Sequence, residues 1–188
     1  MSDSNIGGEA SILEERRRKL EDLRELNLAY LNNFTPVNKA QELHDSHGQL
    51  SKEELEDKTI TNLSVAGRIV LKRVMGNASF VTIRDGSGDI QAYITKNNID
   101  PDLYKNFKSW DLGDIIGITG KLFKTKTEEL TVEAHSITLI TKSLRPMPEK
   151  HKGLVDIEIK YRQRYLDLMS SPESKEIFIK RSQIVSSI

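Results

Sequence analysis

Phe80 and Gln91 are the residues whose types and spacing most readily suggest chemistry. Val81 and Ile83 alternate with Phe80, Thr82 and Arg84, and Ile90, Ala92 and Ile94 alternate with Asp89, Gln91 and Tyr93. Successive side chains on a strand point to opposite faces, so the aliphatic set should turn inward. With a turn centred on Gly86-Ser87, Thr82 pairs with Gln91 and Phe80 with Tyr93. Phe80 then stands on the polar face beside Gln91. Two readings of the ring stay open: packing, under a neighbouring helix or in an ordinary cross-strand aromatic pair, or a platform for an unstacked base, worth about 1–3 kcal/mol per base. Gln91 suits the second, because an amide both donates to and accepts from a Watson–Crick edge.

Several cations lie close by in sequence. Arg68, Lys72 and Arg73 sit on the strand before the hairpin, and Lys121, Lys124 and Lys126 surround a later loop. Each can neutralise a phosphate, or merely face solvent. Glu129 lies among the lysines. It can pair with one of them, a surface bridge of little worth, or accept from a base N–H. Arg16, Arg17, Arg18 and Lys19 form a further basic cluster near the start of the chain. His44 and His47 are three apart on an expected helix, but with no companion ligands they do not read as a metal site.

The elements that must position these residues can be read from period changes. Residues 1–10 are small, polar and Gly-containing and are expected to be a disordered tail. Ser11 and Glu14 have capping-box spacing, which predicts a helix from Ser11 that ends at Thr35-Pro36. A second helix is expected over about 38–47, and Ser51 with Glu54 predicts another capped turn. From residue 60 the pattern becomes β-branched and alternating, with Gly86-Ser87-Gly88 between two strands. Asp100-Pro101 opens a short helix. Two more strands follow, Ile115–Phe123 and Leu130–Ile140. Three strands, a helix and two strands is the order of an OB-fold, a five-stranded barrel that commonly binds oligonucleotides; another small barrel can share it. The expected architecture is therefore mainly β with flanking helices: an N-terminal helical region over 11–58, the barrel over 59–142, and a linker with helical segments over 143–188.

Composition bounds the partners. In 188 residues, 28 basic and 28 acidic side chains cancel, so a nucleic-acid binder must concentrate its charge locally. The absence of cysteine excludes disulfides and thiolate metal sites. Neither a signal-peptide core nor a run of about 20 apolar residues is present, and a cytoplasmic protein with no membrane partner is expected.

Three segments carry a family resemblance: Arg73-Val74-Met75-Gly76-Asn77-Ala78-Ser79-Phe80, Trp110-Asp111-Leu112-Gly113-Asp114-Ile115-Ile116-Gly117 and Leu122-Phe123-Lys124-Thr125-Lys126-Thr127. They resemble the N-terminal domain of class II lysyl-tRNA synthetases. Leu144-Arg145-Pro146-Met147-Pro148 and Tyr161-Arg162-Gln163-Arg164-Tyr165-Leu166-Asp167-Leu168 extend the likeness, which runs from about residue 20 to the end. It implies an anticodon-reading barrel in which Phe80 stacks on the central base of a uridine-rich anticodon and Gln91 hydrogen-bonds it. It further implies that Arg73 assists and that Glu129 contacts a base. Where the family usually has glycine, this chain has Glu128. The basic N-terminal helix resembles one that adds non-specific tRNA affinity. For a parent enzyme the resemblance implies a homodimer that uses ATP and Mg²⁺ to form a lysyl-adenylate and charge tRNA(Lys). Ile177–Ile188 resembles the run into the first catalytic motif, and neither catalytic arginine has a counterpart in these residues. The 188 residues alone are thus expected to bind tRNA, without a cofactor, and not to catalyse. Two other readings remain: a free-standing OB module for single-stranded nucleic acid or protein, and the matching part of an aspartyl or asparaginyl enzyme.

Overall fold

The computed structural model describes residues 3–147, 154 and 156–188. Twelve elements follow one another among these residues: α1 (Asp3–Glu25), α2 (Ala40–His47), α3 (Lys52–Lys58), β1 (Leu63–Met75), β2 (Ala78–Arg84), β3 (Asp89–Thr95), α4 (Pro101–Ser109), β4 (Ile115–Lys124), β5 (Leu130–Thr141), α5 (Ile157–Arg162), α6 (Arg164–Ser170) and α7 (Pro172–Ser186). They fall into two compact units, Met1–Pro146 and Met147–Ile188.

The five strands close into a barrel in the order β1-β2-β3-β5-β4. Strand β1 makes closure possible because it serves two neighbours. Its first half, Leu63 to Arg68, pairs with β4, and from Arg68 onward it pairs with β2. A register shift between Ile69 and Leu71 marks the handover, the place where an extra residue bends and twists a strand. Gly67 lies just before it. A Cβ there would stand 2.7 Å from the Arg84 carbonyl oxygen, so glycine permits the close approach. The last seam is short and parallel, with Gln91 opposite Thr131, Ala92 opposite Val132 and Tyr93 opposite Glu133.

Alternation decides what fills the barrel. Val65, Ile69, Val81, Ile83, Ile90, Ala92, Ile94, Ile116, Ile118, Leu122, Val132 and Ala134 are all buried in one core. Helix α4 adds Tyr104 and Phe107 to it, followed by Trp110. Its start is built as the sequence predicts. Asp100 accepts from the Asp102 and Leu103 N–H groups at 2.9 and 3.0 Å, and Pro101 occupies a position where no N–H is needed. Its C-terminal carbonyls are satisfied by a side chain from β1: Lys72 Nζ donates to the Phe107, Lys108 and Trp110 carbonyls at 2.7, 3.1 and 2.8 Å.

The N-terminal helices differ from expectation at α1. It begins at Asp3 rather than Ser11, so residues 3–10 are helical and Ser11 lies inside the helix. Once a helix is nucleated, each further turn adds hydrogen bonds at small cost. Met1 and Ser2 of the expected tail lie outside the described residues. The helix also stops at Glu25, well before Thr35-Pro36. Asn27 takes a left-handed φ of 56°. The Leu28 N–H then bonds the Leu23 carbonyl at 2.8 Å, and the Asn27 N–H bonds that of Arg24 at 3.0 Å. That is a Schellman ending with asparagine in place of the usual glycine. The Ser51–Glu54 capping box at the start of α3 forms on both sides.

The second unit is a helical hairpin series. Asp156 caps α5 through the Glu158 and Ile159 N–H groups. Arg164 pairs with buried Asp167 at 2.6 Å, and its guanidinium lies 4.9 Å from the Tyr161 ring centroid and 5.0 Å from that of Phe178. Residues 148–153 of the expected linker lie outside the described residues.

Candidate nucleic-acid interface

The hairpin has the register that alternation predicts: Phe80 opposite Tyr93 and Thr82 opposite Gln91. Its turn is held by Asp85, whose Oδ1 accepts from the Ser87 and Gly88 N–H groups at 2.7 and 2.9 Å. Asp85 Oδ2 accepts from Ala40 N–H at the start of α2, so one carboxylate fixes both the turn and the helix. Burial alone would push the Asp85 carboxyl up. The bonds from Ser87, Ala40 and Gly88 outweigh it and hold the group below the usual aspartate value. His44, on α2, donates from Nε2 to the Asp89 carbonyl at 3.0 Å, a structural use of the ring.

On the outward face, Phe80 and Tyr93 stand with ring centroids 4.9 Å apart and planes inclined by 39°. Tyr93 in turn meets Phe123, at the end of β4, edge-on at 6.0 Å. Arg73 lies directly across from Phe80 on β1. It is exposed and has no hydrogen bond or ion pair among the described residues. The face therefore presents three half-buried rings with a free guanidinium at one edge. Aromatic faces stack on bases of any sequence, and a guanidinium adds charge and cation–π attraction.

Gln91 supplies a directional contact. Its Oε1 accepts from the buried Thr131 hydroxyl at 3.0 Å across the β3–β5 seam. Its Nε2 has no protein partner among the described residues. Two residues before Thr131 is Glu129, exposed in the β4–β5 loop. That loop is tightly tied: Thr125 N–H bonds the Glu129 carbonyl at 3.1 Å, Glu128 N–H bonds the Thr125 carbonyl at 3.1 Å, and Glu129 N–H bonds Thr125 Oγ1 at 3.2 Å. Glu128 occupies the left-handed region with φ 60°, where glycine carries no Cβ penalty. The chain thus keeps a glycine-like loop shape with a glutamate.

The expected phosphate contacts divide sharply. Arg16 is buried and donates to the Ser143 and Arg145 carbonyls at 3.2 and 3.0 Å, which anchors the chain leaving β5. Arg68 donates to the Gly113 carbonyl at 2.7 Å. Lys72 holds the end of α4 and lies 4.6 Å from the centre of the Phe107 ring; burial pushes its amino group down to about 8. Lys19 bonds Glu15 and Asp111. These four are occupied by the fold and are not available to a ligand in this structure. Lys121 pairs with Glu133 at 2.9 Å, and Lys124, largely buried, pairs with Glu128 at 3.5 Å. Burial pushes the Glu133 carboxyl up, but bonds from Lys121 and Asn98 win and hold it low. Lys126, Arg17 and Arg18 remain exposed and unpaired among the described residues, the last two on α1 rather than on the barrel.

Alternation puts Tyr93 beside Phe80 on this face, as the structure does, but sequence reading missed Phe123 and Thr131 as members of it. Phe123 carries the same signal as Phe80, an aromatic on the polar side of an alternating strand. No pattern marks Thr131.

Residues 63–140 match the family described as the OB-fold nucleic acid binding domain of the tRNA anticodon type. The barrel is similar to that class over these residues, and the outward rings and amide lie on its strands. Across nearly its full length the chain is also homologous to lysine–tRNA ligases. It is 52% identical to that of Chromobacterium violaceum over 96% of this chain and 36% of the relative. It is 51% identical to that of Methylobacillus flagellatus over 96% and 35%, and 50% identical to that of an Azoarcus species over 100% and 38%. The chain thus spans little more than a third of the length of the curated relatives it matches.

Proposed function

We propose that the barrel binds the anticodon loop of tRNA(Lys) for a lysine–tRNA ligase. In that parent, lysine is activated with ATP and Mg²⁺ as lysyl-adenylate and passed to the tRNA, in the cytoplasm and by a homodimer. Phe80 stacks on the central uridine, Gln91 donates to its edge, Arg73 steadies its phosphate, and Glu129 accepts from a neighbouring base. Lys126, Arg17 and Arg18 add contacts to the backbone. The observation that carries this reading is the outward Phe80–Tyr93 pair beside an amide whose N–H groups are unspent, on a barrel of the anticodon-binding family. Stacking plus an edge contact is how proteins read unpaired bases.

The test is a titration of the chain against labelled anticodon stem-loops. The lysine anticodon should bind more tightly than a scrambled loop of equal length, with affinity that falls as salt rises. Equal affinity for both loops would refute the assignment. Pyrophosphate exchange with lysine and ATP should be absent from these 188 residues, since the role assigned to them is binding.

A further inference from the structure

Thr131 is an odd residue to bury. Its neighbours Leu130 and Val132 are apolar, and it lies fully buried in the seam that closes the barrel. Valine has the same shape and suits a strand at least as well. A buried hydroxyl is unfavourable unless it is hydrogen-bonded, so what its proton does is informative. Two acceptors lie 3.0 Å from Oγ1, the Gln91 Oε1 and the Glu129 carbonyl. The Glu129 carbonyl already accepts from the Thr125 N–H at 3.1 Å. A carbonyl can accept twice, so the hydroxyl proton is shared between the two acceptors, and it is the one protein donor to Gln91 Oε1 among the described residues.

We infer that Thr131 is a positioning residue that fixes which end of the Gln91 amide meets a bound base. With Oε1 held by the seam, the Nε2 N–H groups are the end left for the ligand. The site then selects a base edge that presents a carbonyl acceptor. Uracil offers O4 where cytosine offers an amino group, and two donors face to face repel. The inference rests on the anticodon reading of the same face, and it assigns the choice of uridine over cytidine to a residue that never touches the base.

The experiment measures binding of the chain to stem-loops with uridine or cytidine at the central anticodon position, for wild type, Thr131→Val, Thr131→Ser and Gln91→Ala, with circular dichroism to confirm folding. Wild type should prefer uridine on the order of tenfold, the scale of one discriminating hydrogen-bond pair. Thr131→Val frees the amide to rotate and should bring the ratio toward one. Thr131→Ser keeps the hydroxyl and should restore the preference. A valine variant that keeps the wild-type ratio while Gln91→Ala loses affinity overturns the inference alone. Gln91→Ala with wild-type affinity for both loops overturns the underlying reading. Should the valine variant fail to fold, wild type binding both loops equally would itself refute the positioning role.

Discussion

Phe80→Ala separates stacking from electrostatics. The ring is half-buried on the outer face, with Tyr93 4.9 Å away. Removing it deletes one base-stacking surface, worth about 1–3 kcal/mol. At about 1.4 kcal/mol per tenfold, that is a loss of roughly 5- to 150-fold in affinity for the lysine anticodon loop. The cost to the fold is smaller, because an aromatic pair contributes about 0.5–1.5 kcal/mol and the ring is outside the core. Phe80 carries no charge, so the slope of log affinity against log salt should not change. Arg73→Met is the matched control. It removes one cation beside the ring and should flatten the slope by about 0.7, the value for one phosphate on a single strand. Fluorescence anisotropy over roughly 50 to 200 mM salt reads both quantities. Parallel lines displaced downward for Phe80→Ala, and a shallower line for Arg73→Met, are the expected result. A loss of less than about threefold for Phe80→Ala, or a slope change equal to that of Arg73→Met, would refute the stacking role.

Two further variants probe the frame behind the face. Lys142 is buried and bonds Asp111 and the fully buried Asp114, so Lys142→Met leaves Asp114 without its cation and Asp111 with Lys19 alone, and should cost about 3–5 kcal/mol in chemical denaturation. Burial raises the Asp111 carboxyl, yet Lys142 and Lys19 outweigh it and hold it below 3.8. Its contribution is thus full above pH 3.8 and is lost as pH falls through the lower folded value; the variant, which keeps Lys19, should lose part of that acid tolerance. Gly120→Ala would place a Cβ 1.9 Å from the Glu133 carbonyl oxygen. A strand must shift, so a drop of at least about 2 kcal/mol is expected in thermal or denaturant unfolding, and an unchanged midpoint would contradict the tight β4–β5 approach.

The hairpin was legible because a strand's side-chain period is two and its turn residues announce themselves. Asp85-Gly86-Ser87-Gly88 set the register, and the register placed Phe80 and Gln91 on one face. Helix α4 was legible for a similar local reason, the Asp100-Pro101 start. The end of α1 was not, because an asparagine can replace glycine in a left-handed cap and nothing in the local pattern distinguishes Asn27 from Asn32 or Asn33. The fate of the cations was the least legible. Arg16 finds carbonyls more than a hundred residues away, and Lys72 finds three carbonyls at the end of α4. A long flexible cation goes wherever the fold leaves an unsatisfied acceptor, and the partners become neighbours only after the barrel closes.

That redistribution of charge bears on how the site discriminates. Of the nine side chains that sequence marks as phosphate contacts, only Lys126, Arg17 and Arg18 are left without a protein partner among the described residues; Arg73 beside Phe80 makes a fourth free cation. Four phosphate contacts correspond to a salt slope of about −3 on single-stranded RNA, which is weak anchoring. On the proposed function, these four cations alone add little to binding. The proposed function places the affinity largely in the bases themselves, through the rings of Phe80, Tyr93 and Phe123 and the amide of Gln91. Discrimination and affinity then reside in the same few contacts, so Phe80→Ala and Gln91→Ala should lower both together in the stem-loop titration.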